Sequence, residues 1–389
     1  MKYGFRRVFQ EECRALIRAP KRLFYVLVFP LILFGFLSAI FIQGVPRDLP
    51  IAYLDQDQTK MSAQLIRMIN SSPSIAMATK VADEAEAQKL IQQSKVYAFI
   101  VIPRDFQKNI YKGLPSEVVC YINSQFLLPA GLIQKDFQQI IGSFSAGVAI
   151  NKSMQKGNQG ELAYANQLPV RTDIHILYNP YVNYAYYLLS ALLPMMLQMI
   201  AMMITVYVIG VPLKYQVGQY WLKIAGGSAW SALWGKLLPY TLCLAFVSWW
   251  MNYLLFELIG VPLKTSMLSV TLITFLFTFI YQLLGVSIVA ISKDLRTAMT
   301  LGSGFTAIAM SFAVYTFPIE GLPKSMQYLS ELFPFKHFME YFINRAIRGI
   351  PVEWTIEPIL ALAGFALVFV FTFPLFVNRI KKGGYEQAN

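Results

Sequence analysis

Residues Leu23 to Ile42 read LFYVLVFPLILFGFLSAIFI, an apolar run with no charged side chain. A helix rises about 1.5 Å per residue, so about 20 such residues cross the roughly 30 Å hydrocarbon core of a bilayer. Residues 43–180 are then mostly polar, and from Val182 almost to the C-terminus apolar segments return with short interruptions. The expected fold class is therefore an α-helical polytopic membrane protein: six transmembrane helices with an inserted extracytoplasmic α/β domain after the first.

The expected spans are Leu23 to Ile42, Val182 to Gly210, Leu233 to Ile259, Met267 to Ser292, Ala298 to Phe317 and Thr355 to Asn378. Hydrophobic residues make up 56% of the chain and charged residues 14%. Soluble proteins carry about 25% charged residues, so water is not the only solvent. The net charge of +12 gathers beside membrane ends rather than on a nucleic-acid face. Lys2, Arg6, Arg7, Arg14, Arg18, Lys21 and Arg22 precede the first span, and Arg379, Lys381 and Lys382 follow the last. The positive-inside rule puts both termini in the cytoplasm and residues 43–180 outside. The basic start resembles a signal peptide, but its apolar run is too long and lacks a small-residue cleavage site, so it reads as a retained anchor.

Residues 1–22 carry apolar side chains at Phe5, Val8, Phe9, Cys13, Leu16 and Ile17 against a basic face, the period of an amphipathic helix. It reads as a cytoplasmic interfacial helix, with a simple basic topogenic flank as the alternative. In the 43–180 domain, Ile51 to Leu54, Ile75 to Thr79, Val96 to Ile102 and Val118 to Ile122 read as strands. Thr59 to Asn70 and Asp83 to Gln93 read as helices between them. Ile133, Phe137, Ile140, Ile141, Phe144 and Val148 mark a long amphipathic helix, and Arg171 to Leu177 alternates as a returning strand. The remainder, 181–378, holds five spans, a short polar and aromatic cytoplasmic segment at 211–231 and an outer segment at 318–351. The latter is too polar to cross yet rich in Phe, and Pro318, Pro323 and Pro334 break it, as in a re-entrant helix pair. A tail at 379–389 ends the chain in the cytoplasm.

Catalytic and metal constellations are not legible. Two histidines, His175 and His337, lack partners at useful spacing, and the three cysteines fall in different segments. A structural role suits each histidine better than catalysis. Gly235-Lys236-Leu237 has the glycine and lysine that end a Walker A motif, but the first glycine would fall on Trp230 and the last position needs Ser or Thr. The chain reads as a non-enzyme with no catalytic residue, metal or cofactor of its own. Ionisable groups in the spans are scarce, which disfavours an ion-coupled carrier, and the amides Gln198, Asn252 and Gln282 suit interhelical hydrogen bonds. The methionine-rich stretch around Pro194, with Met195, Gln198, Met199 and Met202, is either an adaptable translocation surface or gap-filling core.

Three segments of the domain, Ile51-Ala52-Tyr53-Leu54-Asp55-Gln56-Asp57, Ala82-Asp83-Glu84-Ala85-Glu86-Ala87 and Ala98-Phe99-Ile100-Val101-Ile102-Pro103-Arg104-Asp105-Phe106, occur in order. Gly235-Lys236-Leu237-Leu238-Pro239, Phe317-Pro318-Ile319-Glu320-Gly321-Leu322-Pro323 and Leu332-Phe333-Pro334-Phe335-Lys336-His337 follow. Together they resemble ABC-2 type transporter permeases of the drug-resistance exporter branch, over nearly the whole chain. The resemblance implies a permease subunit exporting an amphiphilic compound, lipid or glycan across the bacterial inner membrane. It further implies a second permease copy or paralogue, two separate ABC ATPase subunits that bind ATP and Mg, contact with membrane lipid and an optional periplasmic adaptor. Nucleic acid is not an expected partner.

Lys214, Tyr215, Gln216, Gln219, Tyr220 and Lys223 stand where relatives contact their ATPase. Many relatives have Arg-Glu, Gly-Thr and Glu there, whereas this chain has Tyr215-Gln216, Gly218-Gln219 and Trp221, which implies fewer charge pairs. Pro318, Glu320, Pro323, Pro334, Phe335 and Glu340 are the expected outer-gate residues. The alternative from another class is a membrane-anchored receptor that binds a partner without transport. Copurification of an ATPase separates the two.

Overall fold

The computed structural model describes residues 4–155, 177–179, 182–312 and 318–385. The chain divides into two compact units, one of Met1–Gly44 with Ile176–Asn389 and the other Val45–His175.

The smaller unit is built on a four-stranded sheet: β1 (Leu49–Asp55), β2 (Ile75–Lys80), β3 (Ala98–Ile102) and β4 (Val119–Ile122), in the order β2-β1-β3-β4. β1 runs parallel to both neighbours, and β4 is antiparallel to β3. All five residues of β3 are buried, as a continuous apolar run requires when both sheet faces are covered. α3 (Lys60–Asn70) opens with a capping box, in which Ser62 N–H donates to Thr59 Oγ1 and Thr59 N–H to Ser62 Oγ. At the end of β1, the buried Asp55 accepts from Asp57 N, Gln58 N and Ser62 Oγ, which turns the chain into α3. Asp83 caps α4 (Glu84–Gln92) by accepting from Glu86 N at 2.7 Å. α5 (Phe106–Lys112), which the sequence pattern did not single out, precedes β4. The long α6 (Leu127–Gln155) follows it and lays Ile133, Phe137, Ile140, Ile141, Phe144 and Val148 on the sheet core. The expected returning strand and His175 lie at or beyond the edge of the described residues, since 156–176 fall outside them.

The larger unit is a helical bundle. α1 (Phe5–Arg18) precedes α2 (Pro20–Phe41), which contains a π turn at Phe24–Val28. Pro30 lacks the N–H that would bond Val26 O, and the widened turn just before it accommodates the lost bond. α7 (Tyr184–Lys214), the short α8 (Gly218–Ile224), α9 (Ala229–Leu258), α10 (Met267–Ile291) and α11 (Leu295–Ser311) come next. A 3-10 turn at Ile319–Gly321, α12 (Lys324–Ser330) and α13 (Pro334–Phe342, prolonged by a π turn at Ile343–Ile347) lead to α14 (Val352–Lys382).

Among the described residues five helices are long and apolar enough to cross a membrane: α2, α7, α9, α10 and α14. The expected fifth crossing, Ala298 to Phe317, is not among them. Its counterpart α11 has 17 residues, and residues 313–317 are outside the description. At about 1.5 Å per residue such a helix spans about 26 Å.

Polar rungs hold the bundle. Thr241 Oγ1 donates to Gln282 Oε1 at 3.0 Å, Ser248 and Thr278 share a bond of 3.0 Å, and Asn252 Nδ2 donates to Thr274 Oγ1 at 3.1 Å. These rungs run down the antiparallel pair α9 and α10, where hydrogen bonds of this kind contribute about 0.6 kcal/mol each in membranes. Gly285 and Gly302 let α10 and α11 close on α7, since a methyl at either would stand 3.0 Å from Thr205 or 3.2 Å from Met202.

Candidate functional site

Each expected site residue falls in the bundle unit, at one of its two ends or along α7. α8 lies at one end, and six residues of its neighbourhood were expected to dock a partner. Lys214, Tyr215, Tyr220 and Lys223 are exposed, the tyrosines at 67% and 63%. Gln216 and Gln219 behave differently, because their side-chain amides are already engaged by the chain itself. Gln216 Nε2 donates to the carbonyl of Tyr385, and Gln219 Nε2 to that of Lys381 at 3.2 Å. The backbone joins in: Gly218 N–H donates to Gly383 O at 2.8 Å, and Tyr385 N–H to Leu213 O at 3.1 Å. Trp221 is buried, donating to Ala232 O at 3.1 Å with its ring edge-on to Phe376.

Residues 379–385 are thus structural, where the sequence showed only a basic tail. Arg379 reaches the end of α10, donating to Val289 O at 3.1 Å and to Ser292 O, and its guanidinium lies 4.9 Å from the centre of the Tyr385 ring. Tyr385 is 5% exposed, and burial pushes its phenol up to about 12. The glycine pair Gly383-Gly384 directly after a basic helix end was the signal available in the sequence, because glycine there ends a helix and permits close backbone approach.

α1 also belongs to this end. Its buried face is Val8, Glu12 and Leu16, packed on α9 where Gly235 leaves room for Val8. Glu12 accepts from Lys236 Nζ at 2.5 Å, Tyr240 OH at 2.7 Å and Arg22 at 3.3 Å. Sequence reasoning missed this cluster, although Glu12 lies four residues from both Val8 and Leu16 and so shares their stripe.

The opposite end, marked by the start of α10, holds the expected gate residues. Pro323 and Pro334 stand at the starts of α12 and α13, and Pro318 precedes the 3-10 turn. Phe335 and Phe338 are fully buried, and the Phe338 ring stacks on Phe277 at 4.1 Å. Phe277 lies ten residues into α10, about 15 Å along it, so α13 reaches well inside the bundle. Phe335 is therefore core rather than a surface-lining group. Glu320 and Glu340 line a cavity of about 450 Å³ together with Tyr186, Tyr187, Lys336 and Arg348. Lys336 bridges Glu331 at 2.9 Å and Glu340 at 3.1 Å. Burial works against its charge, yet the two carboxylates hold its pKa above the ordinary lysine value.

The methionine set does not form one surface. Gln198 and Met202 are fully buried, with Gln198 Nε2 donating to Thr306 O at 3.2 Å and Met202 against Gly302. Met199 is 38% exposed and Met195 is half-buried against the core, although at helical spacing both share the side of α7 that carries Met202. Gln198 thus takes the interhelical role, as Asn252 and Gln282 do. Met202 fills core, Met195 packs partly against it, and of the three only Met199 is exposed.

Among the described residues no group of three or more His, Cys, Asp and Glu side chains is placed to hold a metal ion. His337 packs at the α13 start, 3.2 Å from Glu331 O and 5.9 Å from the Phe365 ring. The described residues thus place exposed tyrosines at one end of the bundle, a charged cavity at the other and long apolar helices between them. No curated protein matches the chain. The family described as ABC-2 family transporter protein matches residues 21–373, nearly the whole chain, and the protein belongs to that family.

Proposed function

We propose that this protein is the permease subunit of an ATP-driven exporter that moves an amphiphilic compound, lipid or glycan out of the cytoplasm or inner leaflet of a bacterial inner membrane. It works beside a second permease copy or paralogue and two separate ATPase subunits, which bind the ATP and Mg, with a periplasmic adaptor as an optional partner. Both termini face the cytoplasm, and residues 43–180 lie outside. The observation that carries the reading is the α8 end of the bundle. Lys214, Tyr215, Tyr220 and Lys223 are exposed on and beside a helix that two other segments of the chain hold in place. Exposed tyrosines on a fixed support are the side chains that anchor protein interfaces.

In this reading, nucleotide-driven closure of the ATPases moves α8 and α1, and the bundle changes its populations of inward and outward states by differential binding. The cavity with Glu320, Lys336, Glu340 and Arg348 then lies on the exit side, where Pro318, Pro323 and Pro334 break the gate helices. The apolar faces of Met195 and Met199 line a route that tolerates varied substrates, because methionine repacks easily.

The test is the double variant Tyr215→Ala with Tyr220→Ala. Membrane insertion should be unchanged, and retention of the copurifying ATPase, or its substrate-stimulated hydrolysis, should fall at least fivefold. Full coupling in that variant removes α8 from the mechanism.

A further inference from the structure

We propose that residues 379–385 form a clamp that sets the position of α8, with Arg379 and Tyr385 as its positioning residues; the coupling role rests on the reading of α8 as the ATPase contact. A helix of seven residues does not hold itself in water, since isolated helices need about 12–15 residues even for favourable sequences. α8 is therefore held by what touches it. Trp221 bonds Ala232 O, and the tail supplies carbonyls to Gly218 N–H, Gln216 and Gln219 while its own Tyr385 N–H bonds Leu213 O.

These contacts are specific to the path of the backbone. A methyl at Gly218 would stand 2.6 Å from Gly383 O, and one at Gly384 would strike Leu213 O, so neither position admits alanine without separating the two segments. Gly383 itself has φ +98°, the left-handed turn that lets the chain double back from α14. Arg379 joins the clamp to the bundle by bonding Val289 O and Ser292 O at the end of α10, with Tyr385 packed under its guanidinium. A tail that served only to orient the chain in the membrane needs Lys and Arg, and nothing more. The glycine contacts, the carbonyl bonds and the buried tyrosine serve position instead. They tie α8 to the end of α10, so a push on α8 is carried into the bundle. The family match ends at residue 373, before this segment.

The experiment uses the full chain in lipid nanodiscs with its native cysteines replaced by serine. The pair Gln219→Cys with Lys381→Cys reports the clamp by disulfide formation, and ATPase retention and stimulation report coupling. The pair should crosslink readily. Adding Gly384→Ala should lower crosslinking and stimulated ATPase together, each at least fivefold, with thermal stability of the bundle little changed. Arg379→Lys should retain more coupling than Arg379→Ala. Failure of the pair to crosslink overturns the clamp, and so does full ATPase stimulation in a Gly384→Ala variant that no longer crosslinks. A chain that carries only the cysteine-to-serine replacements and retains no ATPase overturns the docking reading, and with it the coupling role, while crosslinking of the pair leaves the clamp geometry standing.

Discussion

The carboxylate of Glu12 and the ammonium of Lys236 meet at 2.5 Å, although they are 224 residues apart in the chain. Their side chains are 10% and 12% exposed, and Tyr240 and Arg22 complete the set of partners around Glu12. This contact fixes α1 to α9.

Removing one partner of a buried ion pair leaves the other charge without compensation, which costs about 3–5 kcal/mol. Glu12→Ala should therefore lower the thermal midpoint of the detergent-solubilised protein and expose α1 to protease. Glu12→Gln combined with Lys236→Met should recover most of the loss, because neither charge is then buried alone. Equal damage in the single and double variants would show that the charge pair is not what fixes α1.

At the other end of the bundle, Phe338 and Glu340 should separate packing from function. Phe338 is fully buried against Phe277, and truncation of such a ring costs about 3–5 kcal/mol through lost burial and the cavity left behind. Phe338→Ala should thus lower the thermal midpoint clearly. Glu340 is partly exposed at the cavity, paired with Lys336. Glu340→Gln should leave the midpoint nearly unchanged and alter transport in vesicles, and a large fall in stability with normal transport would count against the gate assignment.

Cys120 gives a chemical test of the sheet unit. Burial pushes its thiol from 9.0 up to about 12, so little reactive thiolate is present in the folded chain. Alkylation at pH 8 should be at least tenfold slower in the folded protein than in denaturant. Below pH 9 both states keep the proton, and no stability difference arises from this group. Between pH 9 and 12 the unfolded chain loses a proton that the folded chain retains, so stability falls as pH rises through that window. Under the proposed topology, an impermeant reagent on intact cells should reach Cys120 after unfolding of the sheet unit and should not reach Cys13. Labelling of Cys13 alone would invert the proposed topology.

Much of the architecture is legible in local pattern. The apolar runs that become α2, α7, α9, α10 and α14 are set by length and composition, because the cost of an unmet backbone group in hydrocarbon leaves helix as the available form. The strands near Ile51, Ile75, Ala98 and Val119, and the stripe from Ile133 to Val148, follow from periods of 2 and 3.6 that sequence displays directly. α11 was harder, since an apolar stretch continues past Ser311 while the described helix ends there.

Which partner each side chain meets was decided only by tertiary structure. Gln216 and Gln219 looked available for docking, yet the returning tail occupies both. Gln198 and Met202 looked continuous with Met195 and Met199, yet α11 covers the first two and leaves Met199 outward. Glu12, Lys236 and Arg379 read as members of charge runs, and the bundle turned each into a fixed contact. Periodicity says that a side chain lies on a face, since it depends on residues three or four apart. What that face touches depends on elements brought together by packing across hundreds of residues, and no local repeat records it.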